Sequence, residues 1–175
     1  MNENMNPNHN SLFIEAFIET VGIEGGYVFD PDDRGGETNF GISKRSYPHL
    51  DIKNLTSEDA KEIYYRDFWD TPKMKLTAFS PKVSKELFDT GVNMGMPRVR
   101  KMLQEALNLL NRAETRYKDL KVDGWIGQSS LKALSLTDEK ELLKVLNGLQ
   151  FMRYFEIQKN DHSQERFFAG WVKRT

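Results

Sequence analysis

Apolar residues recur at helical spacing through most of the chain. Leu12, Phe13, Ala16, Phe17, Ile18 and Val21 fall close to every third or fourth position after a polar start, which predicts an amphipathic helix. Glycine readily takes the left-handed conformation that closes a helix, so Gly25-Gly26 are expected to end it. From Tyr27 to Gly41 the pattern changes. Asp30-Pro31-Asp32-Asp33 and Gly35-Gly36 crowd turn-forming residues together, which predicts a loop or short hairpin. Thr56-Ser57-Glu58-Asp59 supplies N-cap chemistry for a second helix through Ala60, Ile63 and Tyr64 towards Phe68-Trp69, with Pro72 just beyond.

A third helix is expected over 82–93, carrying Val83, Leu87 and Phe88. A fourth starts near Pro97, which suits a first helical turn, and carries Val99, Met102, Leu103, Ala106, Leu107 and Leu110. Asp123-Gly124 marks a turn, and a short helix follows Ile126-Gly127. Over 138–158, Leu142, Val145, Leu146, Leu149, Met152 and Phe155 lie along a long amphipathic helix. Phe167, Phe168 and Trp171 form a last apolar patch expected to dock on the body. The expected fold is therefore mostly α, with one small hairpin or loop element near the N-terminus. Residues 1–10 read as a tail, 11–90 as a first region and 91–175 as a second helical region packed into one body with it.

Composition narrows the partners. With 175 residues, 38 % hydrophobic and 29 % charged, the chain has material for one substantial core. A net charge of −1 gives no basic surplus for a nucleic-acid partner. No cysteine is present, so neither a disulfide framework nor a thiolate metal site is expected. The first ten residues, MNENMNPNHN, lack the basic and apolar regions of a secretory signal, and no stretch is apolar enough for a membrane span. Synthesis in the cytoplasm without a classical signal is the expectation.

Glu24 is the first candidate for chemistry. It stands near the end of the first expected helix, among Ile23, Tyr27 and Phe29 and beside two glycines. The negative pole of a helix and apolar walls both disfavour an ionised carboxylate, as a general acid near neutral pH requires. The plainer reading is a solvated last-turn glutamate. Glycoside hydrolysis needs an acid for the leaving oxygen and a second polar group that manages water or positive charge. Asp30, Asp32 and Asp33 follow within nine residues, and Thr38 adds a hydroxyl suited to holding a water. Plain turn chemistry also explains the aspartates.

Other motifs fail. An EF-hand reading of Asp30-x-Asp32 puts Arg34 at a ligand place and Gly41 where the bidentate acid belongs. Gly35-Gly36 lacks the Gly-Lys-Ser/Thr ending of a phosphate-binding loop. His9, His49 and His162 are scattered without metal-ligand spacing, so neither metal nor cofactor is expected.

Glu24-Gly25-Gly26-Tyr27, followed by Asp33-Arg34-Gly35-Gly36-Glu37-Thr38-Asn39-Phe40-Gly41-Ile42-Ser43, resembles the N-terminal signature of glycoside hydrolase family 108. The likeness continues through Leu55-Thr56, Ile63-Tyr64 and Asp67-Phe68-Trp69-Asp70. Asp89-Thr90-Gly91-Val92-Asn93-Met94-Gly95, Leu103-Gln104-Glu105-Ala106-Leu107-Asn108 and Asp123-Gly124-Trp125-Ile126-Gly127 resemble that family's predicted peptidoglycan-binding region. Arg166-Phe167 and Gly170-Trp171 to Arg174 are similar to its C-terminal end. The resemblance implies a lysozyme-like helical fold. It implies an N-acetylmuramidase, with Glu24 as the acid, cleaving the β-1,4 bond between N-acetylmuramic acid and N-acetylglucosamine in peptidoglycan glycan strands. Members are found in phages and bacteria as endolysins or secretion activators, which implies delivery to the cell wall by a holin or a secretion system. Members often have a histidine before that glutamate, where this chain has Ile23.

Phage-type lysozymes space a Glu, an Asp and a Thr with eight and then five residues between them. Glu24 to Asp33 keeps the first gap and leaves four residues before Thr38; Asp32 keeps the second gap and shortens the first. Asp33 is favoured as the partner, with Asp32 open, and Thr38 as the water-positioning residue. For the sugar groove the candidates are Tyr27, Tyr64, Trp69 and Asn93, with Trp125 behind them; core packing is the competing role for the aromatics. A lytic transglycosylase and a non-catalytic wall-binding adaptor are the rival readings.

Overall fold

The computed structural model describes residues 10–22, 26–29, 36–173 and 175. Those residues are mostly helical with small antiparallel hairpins, as the apolar spacing predicts. The chain divides into two compact units, Met1–Val92 and Asn93–Thr175.

In the first unit, α1 (Ser11–Thr20) begins where the Asn10 side chain accepts from the Phe13 amide at 2.8 Å. It closes at Gly22, not at Gly25-Gly26. Gly22 has φ +90°, and its amide reaches back to the Phe17 carbonyl at 3.3 Å. It is the first position where the chain enters the left-handed region without a Cβ penalty.

Three short strands follow: β1 (Val28–Phe29), β2 (Glu37–Asn39) and β3 (Ile42–Ser43), antiparallel in that order. Val28 pairs with Thr38 and Phe29 with Glu37; Thr38 also pairs with Ser43 and Asn39 with Ile42. Phe40 and Gly41 turn β2 into β3 with φ of 49° and 74°, the two positive angles of a type I′ turn. Asn39 is buried and donates to the carbonyls of Ile52 and Leu55 at 3.2 and 3.3 Å, fastening the hairpin to the loop before α2.

A reciprocal capping box between Thr56 and Asp59 starts α2 (Ser57–Tyr64). The helix then widens into a π-helical turn, Tyr65–Trp69, and runs into a hairpin of β4 (Asp70–Thr71) and β5 (Met74–Lys75), with Pro72 in the turn. Thr71 closes that turn by donating to the Met74 carbonyl at 2.8 Å. A 3-10 turn, Leu76–Ala78, leads into α3 (Pro81–Met94). Phe13, Phe17, Trp69 and Phe88 are buried at the centre. Phe13, Trp69 and Phe88 meet edge-on, with ring centroids 5.5 to 5.9 Å apart. Each such pair adds about 1 kcal/mol beyond area burial.

In the second unit, Gly95 at φ +85° precedes α4 (Met96–Leu109), with Pro97 in its first turn. Then come α5 (Gln128–Ser135), α6 (Glu139–Asn160, capped by Asp138), a 3-10 turn His162–Gln164 and α7 (Glu165–Val172). Val99, Leu103, Ala106 and Leu107 of α4 are buried, as are Ala133 of α5 and Leu142 and Leu146 of α6. The buried row of α6 is Leu142, Leu146, Gln150 and Tyr154, each four residues after the last. Met152 and Phe155, expected on the apolar stripe, are exposed instead. Tyr154 stacks on Trp171 of α7 at 5.1 Å, which is how the last apolar patch is anchored.

Candidate active site

The segment between α1 and β1 and the loop between β1 and β2 carry the expected acid and its partners. Glu24, Asp30, Asp32 and Asp33 lie outside the described residues. The three-stranded hairpin that follows them in sequence is described, and it presents two chemically distinct faces.

Side chains alternate across a strand, so Glu37 and Asn39 share one face of β2 and Thr38 takes the other. Tyr27 belongs with the first face: its hydroxyl donates to Glu37 Oε1 at 3.2 Å. Phe29, paired with Glu37, leaves 61 % of its surface exposed, and Tyr27 is exposed as well. An exposed aromatic pair flanking a carboxylate offers a sugar both a flat apolar surface and a hydrogen-bond acceptor. Thr38 is half-buried on the opposite face, beside Val28 and Ser43, so Thr38 and Tyr27 do not meet on one surface.

Two of the aromatic candidates lie in the core. Trp69 has no exposed surface and is enclosed by Phe13 and Phe88. Tyr64 is 3 % exposed, packs against Phe17, Phe68 and Phe88, and spends its hydroxyl on the Phe40 carbonyl at 3.0 Å. Neither ring presents a face to a ligand. Burial raises the Tyr64 hydroxyl to about 12, so it remains a donor at any working pH. Asn93 is exposed in the last turn of α3 and falls in the second unit, bordering a small cavity with Arg98, Arg153, Tyr154 and Trp171.

Sequence reasoning passed over three polar residues of the first unit. Glu37 is the described carboxylate of the hairpin. Asp67 holds a bidentate pair with Arg66 at 2.6 Å and accepts the Tyr47 hydroxyl at 2.8 Å, which ties the loop after β3 to the π-helical turn. The Arg66 guanidinium holds the Asp67 carboxyl below the usual carboxylate range. Glu86, in the middle of α3, is different. Burial pushes its carboxyl up to about 7, while the hydroxyl of Thr90 at 3.2 Å and the nearby Asp89 act in opposite directions. Its only sequence signal is an acidic residue between the apolar Val83 and Leu87-Phe88 on a helix.

The family model described as Glycosyl hydrolase 108 matches residues 17–95, a span containing Glu24, the hairpin and α3. The model described as Predicted Peptidoglycan domain matches residues 98–175. Among solved structures, the chain is similar to SagA of Brucella abortus, at 25 % identity and a TM-score of 0.70, over 93 % of this chain and 88 % of that one. No curated protein matches the sequence.

Proposed function

Because the chain belongs to glycosyl hydrolase family 108 and is a peptidoglycan hydrolase, we propose that it is an N-acetylmuramidase with Glu24 as its general acid. The observation that carries this reading is the family match over 17–95, which includes the Glu24-Gly25-Gly26-Tyr27 segment and the hairpin after it.

In this reading the Glu24 carboxyl donates its proton to the glycosidic oxygen as the bond from that oxygen to C1 of N-acetylmuramic acid breaks. Positive charge grows on the ring carbon and its oxygen. Asp33, or Asp32, stabilises that charge or takes a proton from the water that attacks C1. The water's oxygen becomes the new reducing-end hydroxyl. Thr38 lies on the face of β2 away from Tyr27 and Phe29, so in this reading the aspartate alone handles the water. Tyr27 and Phe29 supply the sugar-facing surface, with Glu37 as acceptor. Holin- or secretion-dependent delivery to the wall belongs to the same reading.

The test is mass spectrometry of fragments released from purified peptidoglycan by the wild-type protein and by Glu24→Gln. Reducing N-acetylmuramic acid ends, absent with the variant, are expected. Anhydro ends would replace the muramidase by a lytic transglycosylase. No soluble fragments from a folded wild-type protein would leave a wall-binding role.

A further inference from the structure

The second unit contains a groove of about 590 Å³ built by the segment after α4 and the start of α5. Trp125 lines it and leaves 57 % of its surface exposed. Its backbone is nevertheless held from three directions. Asp123 Oδ1 accepts from the Trp125 amide at 2.9 Å. The side chain of Gln104, buried on α4, donates to the Trp125 carbonyl at 3.1 Å and to Asp123 Oδ1 at 3.2 Å. The same side chain accepts from the Gly124 amide at 2.7 Å. Gly124 itself sits at φ +77°, a conformation glycine adopts without strain. A buried glutamine thus spends both ends of its amide on one turn, and that turn holds up an exposed indole. Ordering an aromatic before a ligand arrives removes that entropy cost from binding.

Among the charged residues of the lining, cations prevail. Arg116, Lys118, Lys121 and Lys132 outnumber Asp119 and Asp123. Both acids are already engaged, Asp119 by the Asn111 amide and Asp123 by the turn. Lys118 pairs with Glu114 at 2.7 Å, whereas Lys121 and Lys132 form no ion pair among the described residues. Arg116 Nη1 is buried and paired with Glu141 Oε2 at 3.9 Å, which leaves the two lysines as the cations open to a ligand. Ammonium groups without a carboxylate partner favour an anionic ligand.

We propose that this groove is a peptidoglycan-binding site of the second unit: Trp125 stacks on a sugar ring, and Lys121 and Lys132 bind a carboxylate of the attached peptide. The proposal rests on the reading that the chain acts on peptidoglycan. A neutral glycan satisfies the indole alone and an acidic peptide satisfies the cations alone. A disaccharide carrying a stem peptide satisfies both.

The test is an NMR titration of the full chain, following the Trp125 indole N–H and, in the Trp125 variants, the backbone amides of residues 118–132. One probe is a monomeric N-acetylglucosaminyl-N-acetylmuramyl tetrapeptide, which has no second disaccharide to be separated from; the other is peptide-free N-acetylglucosamine tetramer. With the disaccharide-peptide, Trp125→Ala is expected to weaken binding about tenfold or more, and Trp125→Phe by less. The double variant Lys121→Gln/Lys132→Gln is expected to weaken the disaccharide-peptide several-fold and leave the tetramer unchanged. An indole signal that does not move, an unchanged Kd for Trp125→Ala, or equal losses for both probes in the lysine variant would overturn the proposal. Fragment release from whole peptidoglycan is scored separately. A chain that binds the monomer but releases nothing keeps this site and loses the muramidase; one that releases fragments while its Trp125 signal stays still loses this site alone.

Discussion

The hydroxyl of Tyr64, on α2, donates to the carbonyl of Phe40 at 3.0 Å, and a Cβ at neighbouring Gly41 would stand 2.8 Å from the same oxygen. The hairpin therefore packs against α2 at a distance that only glycine permits. Gly41 also has φ +74°, so alanine there meets both left-handed strain and a clash. Gly41→Ala is expected to destabilise the protein by about 2–3 kcal/mol in denaturant melts. The penalty should shrink by roughly 1 kcal/mol in a Tyr64→Phe background, where the clashing oxygen is gone. Additive penalties in that double-mutant cycle would sink the explanation.

Trp69 tests the division between core and groove. Its ring is wholly enclosed, and its indole nitrogen has no hydrogen-bond partner among the described residues. Trp69→Phe should fold with a stability loss of about 1–3 kcal/mol from the cavity left behind. Its KM for peptidoglycan should match the wild type. A selective rise in KM with stability unchanged would restore Trp69 to the sugar site.

Glu86 gives a pH dependence whose sign follows from burial. Its carboxyl titrates near 7 in the folded protein against 4.5 for the ordinary group, so the folded state holds the proton more tightly between those values. Stability therefore falls as pH rises from 4.5 to 7. Glu86→Gln keeps an acceptor for Thr90 and removes the charge. It should be near neutral at pH 4 and stabilising by about 2 kcal/mol at pH 8, after allowance for partial solvent screening. Thermal melts of both proteins at the two pH values decide it.

Gln104 is predicted to support the Trp125 turn. Gln104→Leu keeps most of the volume but strands the Gly124 amide and leaves the Trp125 carbonyl with the Gly127 amide alone. A loss of about 2 kcal/mol is expected, with faster hydrogen exchange at residues 123–125. Unaltered exchange there would mean the turn is held without Gln104.

Much of this was legible along the chain because helices are local. The Thr56 cap, Pro97 in the first turn of α4 and the apolar spacing of α3 and α4 involve residues a few positions apart, and all are where the local pattern puts them. The misplaced end of α1 has a local cause too: Gly22 precedes Gly25 and closes the helix first. The π-helical turn at Tyr65–Trp69 and the β4–β5 hairpin have weaker signatures, since a few residues of either look like a helix end and a proline turn.

By itself, the sequence determined the helical class, the hairpin position, the family and Glu24 as the residue to test, because each rests on spacing or on a contiguous motif. Tertiary structure alone decided which aromatic rings are available. Trp69 and Trp125 are the same residue type in similar-looking motifs, yet one is sealed between Phe13 and Phe88 and the other stands exposed on a turn held by Gln104. Tertiary structure also set the titration of Glu86, whose desolvation comes from neighbours packed around it. The physical reason is common to all three: burial is a property of what lies across space from a side chain, and residues distant in sequence supply it.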